Sequence, residues 1–253
     1  MFTRAVLFLG LLLAFPVSPT LAHEYWIEAS KFQPAPDENV TANLRVGADL
    51  SGEAFPWLAQ SFASVSLWSP DGTAQPLSGR MGDLPALKLP SLPRGLHRVT
   101  VETTPSFVIF DKAGKFETYL AYEGLNGILE RHRARGLPET GFGERYVRNA
   151  RALVQSGAVI DGQADAPTGM PFELVILGNP YAPGLTDLTV QLLWQDAPAP
   201  AVQVALFHAP PGSAPPVGVE RLLFTTDSDG RVTVPLRGPG LHLLSAVHIE
   251  PVD

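Results

Sequence analysis

The sequence predicts a mainly β chain of two immunoglobulin-like β-sandwich domains joined by a short helical segment, and three observations carry that expectation. The 253 residues include 23 Gly and 25 Pro yet remain 45% apolar, a balance that suits many short strands around real cores and excludes collagen and wholesale disorder. Short apolar or alternating runs split by turn residues fill residues 24–110 and return from residue 172 onward. Between them the composition shifts to helix formers. The expected divisions are a signal peptide over residues 1–22, an N-terminal sandwich over 23–110, a helical connector over 111–157 and a C-terminal sandwich over 158–253.

The leader is read first. Met1 to Arg4 is a short basic start, and residues 5–17 form an apolar run too short for a membrane span of about 20 residues. Thr20-Leu21-Ala22 then offers small residues where a signal peptidase reads them, so the expected mature chain begins at His23, outside the cytoplasm, with no membrane span. Its free α-amine and imidazole could together chelate an ion such as Cu(II) or Ni(II), and Glu24 could add an oxygen ligand.

In the first half, strands are expected at residues 40–46, 64–68 and 96–103, with turns at Ser69-Pro70-Asp71-Gly72 and Leu92-Pro93-Arg94-Gly95. Helices are expected at residues 115–122, 125–135 and 144–154, the last because Tyr146, Ala150 and Leu153 recur at spacings of four and three. Six of the 14 arginines lie in this connector, which reads as a solvated helical face with Glu144 supporting Arg148, or as a docking face for an acidic partner. In the second half, strands are expected at residues 172–177, 188–194, 202–208, 221–226, 232–236 and 241–250, with Asp229-Gly230 as a hairpin signal.

The formal charge of −7 becomes −8 once Arg4 leaves with the leader, so the chain offers no basic footprint for nucleic acid. Cysteine is absent, which excludes disulfides, thiolate metal sites and a Cys nucleophile. No Gly-x-Ser-x-Gly elbow, His-Glu-x-x-His helix, phosphate loop or dinucleotide fingerprint occurs.

An ordered set of short motifs runs through the chain: His23-Glu24-Tyr25-Trp26-Ile27-Glu28, Glu144-Arg145-Tyr146, Pro171-Phe172-Glu173-Leu174-Val175, Asn179-Pro180-Tyr181, Thr226-Asp227 with Asp229-Gly230-Arg231, and Val247-His248. In this order they resemble a periplasmic bacterial family, the domain-of-unknown-function family 4198, often labelled a nickel or cobalt uptake component. The resemblance implies a secreted, metal-associated protein with no established enzyme activity. The chain departs from it twice, having Gly47-Ala48 where members often show Gly-His, and Gly240-Leu241-His242 where they show Gly-x-Trp.

The histidines sort by position. His242 and His248, six residues apart on one expected strand, would lie about 20 Å apart and could not share an ion. His132, between Arg131 and Arg133, reads as a surface residue, and His97, on a face with Val99 and Val101, as a hydrogen-bonded structural one. His208 ends a strand before Pro210-Pro211, a rim position suited to a ligand or a cap. The expected metal-site residues are His23, Glu24 and His208 by position, and His248 because the resemblance implies it through the Val247-His248 pair. The expected function is binding of a transition-metal ion, nickel, cobalt or copper, in the periplasm for uptake or buffering, with an inner-membrane metal transporter as a partner and no nucleic acid. The alternatives are a metal-free envelope interaction module and a copper-dependent oxidase with an N-terminal histidine brace.

Overall fold

The computed structural model describes residues 24–212 and 216–252, so the expected leader and His23 lie outside the described residues. The first half contains β1 (Glu24–Ala29), β2 (Thr41–Ala48), β3 (Ser51–Phe55), β4 (Phe62–Trp68), β5 (Ala74–Pro76), β6 (Leu87–Lys88), β7 (Gly95–Thr103) and β8 (Ser106–Phe110). Two helices follow, α1 (Lys115–Glu123) and α2 (Ile128–Ala134), then β9 (Phe142–Tyr146) and β10 (Asn149–Ser156). The second half contains β11 (Phe172–Ile176), β12 (Asp187–Trp194), β13 (Ala197–Pro198), β14 (Gln203–Ala209), β15 (Glu220–Thr225), β16 (Arg231–Pro235) and β17 (Leu241–Ser245).

The chain is mainly β, in small antiparallel sheets. One sheet has the order β1-β2-β3, with β6 also pairing β2 on the edge away from β1, and a second has the order β10-β7-β4-β5. In the second half, β11-β12-β13 with β16 on β12 forms one sheet and β15-β14-β17 another, while β8 and β9 make a separate ribbon. Strand alternation sends every other side chain inward. Ile27 and Leu44 thus meet Val99, Val101, Ala150, Ala152 and Val154 in one core. In the second core Val190, Val232 and Val234 meet Val204 and Leu206. The helices bury Phe116 and Leu120 against Phe110 and Phe142 of the β8–β9 ribbon.

Five sequence expectations differ from the structure. Residues 144–154 are not a helix: β9 pairs with β8, and β10 pairs with β7 along eight residues, from Asn149 opposite Glu102 to Ser156 opposite Gly95. The same segment carries a period of two in Ala150, Ala152 and Val154, and backbone pairing to a buried strand selects it over the helical spacing. Glu144 consequently does not support Arg148 along a helix; the Arg148 guanidinium stacks 4.6 Å from the Tyr146 ring centroid.

The Asp229-Gly230 turn forms, with Gly230 N donating to Asp227 O at 3.0 Å, but it is not a hairpin. It carries the chain from β15 to β16, which pairs with β12 in the other sheet. Asp227 Oδ1 holds the turn by accepting from Asp229 N and Arg231 N, both at 2.8 Å. The last strand stops at Ser245, so His248 lies beyond it and His242 and His248 do not share a strand. Among the described residues no helix is long and apolar enough to cross a membrane.

His132 is also corrected. It is buried rather than on the surface, its ring 4.3 Å from Phe142 and 5.4 Å from Phe116, with Nε2 2.8 Å from Pro138 O. Arg133, next to it, points elsewhere and donates to Glu139, and Arg135 donates to Val252 O.

Candidate functional site

The amino end of β1 brings together groups from four distant parts of the chain. Glu24 opens β1 and pairs with Gly47 of β2, one residue before Ala48 and the turn at Asp49. Its side chain meets the end of α1, where Tyr122 OH donates to Glu24 Oε1 at 3.3 Å. α1 stops there because Gly124 takes a left-handed conformation (φ 67°), with Gly124 N donating to Ala121 O and Leu125 N to Leu120 O, a glycine-terminated helix end. That stop leaves Tyr122 and Glu123 in the last turn. Arg221 of β15 completes the group, its guanidinium 3.8 Å from the Tyr122 ring centroid and NH2 donating to Tyr122 O at 2.9 Å.

Burial sets the electrostatics of this corner. Glu24 is only 7% exposed, and burial pushes its carboxyl up to about 7, with Asp49 adding repulsion and Tyr122 and Arg221 opposing. Burial likewise pushes Glu123 up to about 7, with Glu24 as the next cause. The Glu24 Oε2 atom is buried without a hydrogen-bond partner, and so is Arg221 Nε. Two carboxyl groups with raised pKa values are therefore held out of water at the amino end of β1.

The other expected ligands sit in different surroundings. His208 of β14 lies directly opposite His242 of β17, their ring centroids 4.6 Å apart. His208 Nε2 is 3.2 Å from Pro239 O, and Arg237 N donates to His242 Nε2 at 3.3 Å. Burial pushes His242 down, with His208 as the second cause. Glu220 faces His208 from β15 and accepts from Arg237 Nε at 2.9 Å. His248 packs 4.5 Å from the Trp194 ring and 5.9 Å from Phe172, with Nε2 3.3 Å from Glu250 Oε1. The structure thus does not bring Glu24, His208 and His248 onto one point, and among the described residues no three or more His, Asp or Glu side chains group as a metal site. His97 has the structural role its strand face suggested, fully buried with Nε2 2.7 Å from Pro93 O.

Sequence reasoning missed Asp49, Tyr122, Glu123, Arg221 and His242. The first four meet only through tertiary packing. His242 had a faint signal, since it stands where the resembling family shows Trp, and the ring contact with His208 occupies that place.

Three of the residues that carry the resemblance, Glu173, Asn179 and Tyr181, do architectural work. Asp165 accepts from Arg98 Nε at 2.8 Å and Arg151 NH2 at 2.7 Å, and Glu173 accepts from Arg151 NH1 at 3.0 Å and from Thr168 N, which ties β11 to β10 and β7. Asn179 Nδ2 donates to Gln155 Oε1 at 2.8 Å, and Tyr181 OH donates to Leu153 O at 2.6 Å. Glu173, Asn179 and Tyr181 are therefore the second half's grip on the first.

Fold and site together define a mainly β protein of two interlocked halves with a buried acidic corner at the start of β1. The family described as Domain of unknown function (DUF4198) matches residues 20–250, and the chain belongs to that family. No curated protein matches the sequence.

Proposed function

We propose that the protein is a periplasmic transition-metal-binding protein that takes up nickel, cobalt or copper for an inner-membrane transporter or buffers it, with its site at the amino end of β1. The observation that carries this reading is the buried Glu24 carboxyl, raised to about 7, with one oxygen free of any hydrogen bond. A cation there would replace the proton and offset the desolvation of both Glu24 and Glu123. After cleavage behind Ala22, the neighbouring His23 would add its amine and imidazole nitrogens. His208, packed on His242, and His248, packed on Trp194, stand outside this site. We also read each half as an immunoglobulin-like sandwich, supported by a core enclosed between two sheets in each.

Calorimetric titration of the exported protein with Ni(II) and Cu(II) tests the reading. A protein carrying one extra residue before His23 should bind at least about tenfold more weakly, about 1.4 kcal/mol, because its α-amine has become an amide. Equal binding by the two forms removes the amino terminus from the site. Ala48→His is expected to act in the opposite direction and tighten binding, since it restores an imidazole one residue from the Gly47 partner of Glu24.

A further inference from the structure

We infer that the protein binds a neutral amphipathic small molecule, an alkyl or aromatic body ending in an amide or hydroxyl, in a cavity of about 340 Å³ between its two halves. The volume lies within the range of small-molecule sites, roughly 300 to 1,000 Å³. Its floor follows from strand alternation. Ile27 of β1 and Ala150, Ala152 and Val154 of β10 face the first core, so Glu24 and Trp26, with Asn149 and Arg151, face away from it toward the second half. All four line the cavity.

Eight buried side-chain atoms have no hydrogen-bond partner among the described residues, and four of them belong to this floor: Glu24 Oε2, Trp26 Nε1, Asn149 Oδ1 and Arg151 Nε. Buried polar atoms are normally paired, and four orphans on one wall mark a place where an absent partner belongs. Two are acceptors and two are donors, a set that an amide or hydroxyl, donor and acceptor at once, can answer and a simple anion or cation cannot. The opposite end of the cavity is apolar, reaching Leu206 and Leu244 of the second core. Water alone satisfies a polar floor but not an apolar chamber.

The cavity shares Glu24 Oε2 with the metal reading, so the test is run in a chelator, which separates the two. The exported protein is titrated with octanamide by calorimetry and with N-phenyl-1-naphthylamine by fluorescence. Saturable one-to-one binding of octanamide, competing with the dye, is expected. Trp26→Phe should weaken octanamide at least fivefold while leaving the dye within twofold, because it removes a donor and keeps the ring. Leu244→Trp should weaken both at least tenfold by filling the chamber, and Ala246→Leu serves the same purpose if the first variant does not fold. The absence of saturable binding by the folded protein, or filled variants that bind unchanged, overturns the site and leaves the cavity to water.

Discussion

Glu24 and Glu123 make the stability of the protein depend on pH in a direction opposite to that of salt-bridged carboxylates. Each has a folded value of about 7 against 4.5 for an ordinary glutamate. Between those values the folded chain keeps a proton that the unfolded chain has released, so these groups lower stability as pH rises from about 4.5 to about 7. Glu24→Gln, which retains an acceptor for Tyr122 OH, should raise stability at pH 8 by up to about 3 kcal/mol and change it little at pH 4. Urea unfolding of both proteins at the two pH values checks this, and taking the difference removes the opposing contribution of His242, whose depressed value makes the fold lose stability as pH falls below about 6.5. A second residue-scale expectation concerns His132. Packed between Phe116 and Phe142, it should cost about 2 kcal/mol when replaced by Ala, with metal titration of the folded variant unchanged.

At the scale of elements, β10 is the strand on which the two halves meet. Its alternate residues divide the labour, Ala150, Ala152 and Val154 entering the first core while Arg151 and Gln155 reach the second half. Asp165 receives Arg98 and Arg151 with a side chain that is fully buried. Asp165→Ala would leave two arginines without that carboxylate, and a loss of about 3 to 5 kcal/mol is expected in denaturant unfolding. A loss below about 1 kcal/mol would show that Glu173 and water already satisfy both arginines.

For the whole molecule, polar contacts tie the two halves together at two places. Arg98, Arg151, Asn179 and Tyr181 link the halves at one side, and Gln203 Nε2 and Arg221 NH2 both donate to Tyr122 O at another. Thermal unfolding should therefore follow one calorimetric transition, and Arg151→Leu should lower its midpoint or split it. Two separate transitions in the unaltered protein would mean that the halves fold independently despite these contacts.

The sequence by itself determined the β character, the places of most strands and the role of His97, because a period of two and Gly- or Pro-bearing turns are local properties of a chain. It also contained the motifs of the DUF4198 family, matched over residues 20–250. What it left undecided was local ambiguity and distant company. Residues 144–154 carry both a helical and a strand spacing, and pairing with β7 chose the strand. Asp229-Gly230 specifies a turn but not which sheet its second strand joins. Glu24 was visible as a carboxylate beside the expected amino terminus, yet its burial against Tyr122 depends on a helix end 98 residues away. Only the tertiary structure decides such a contact, because the desolvation that raises a carboxyl to neutrality is a property of everything packed around it.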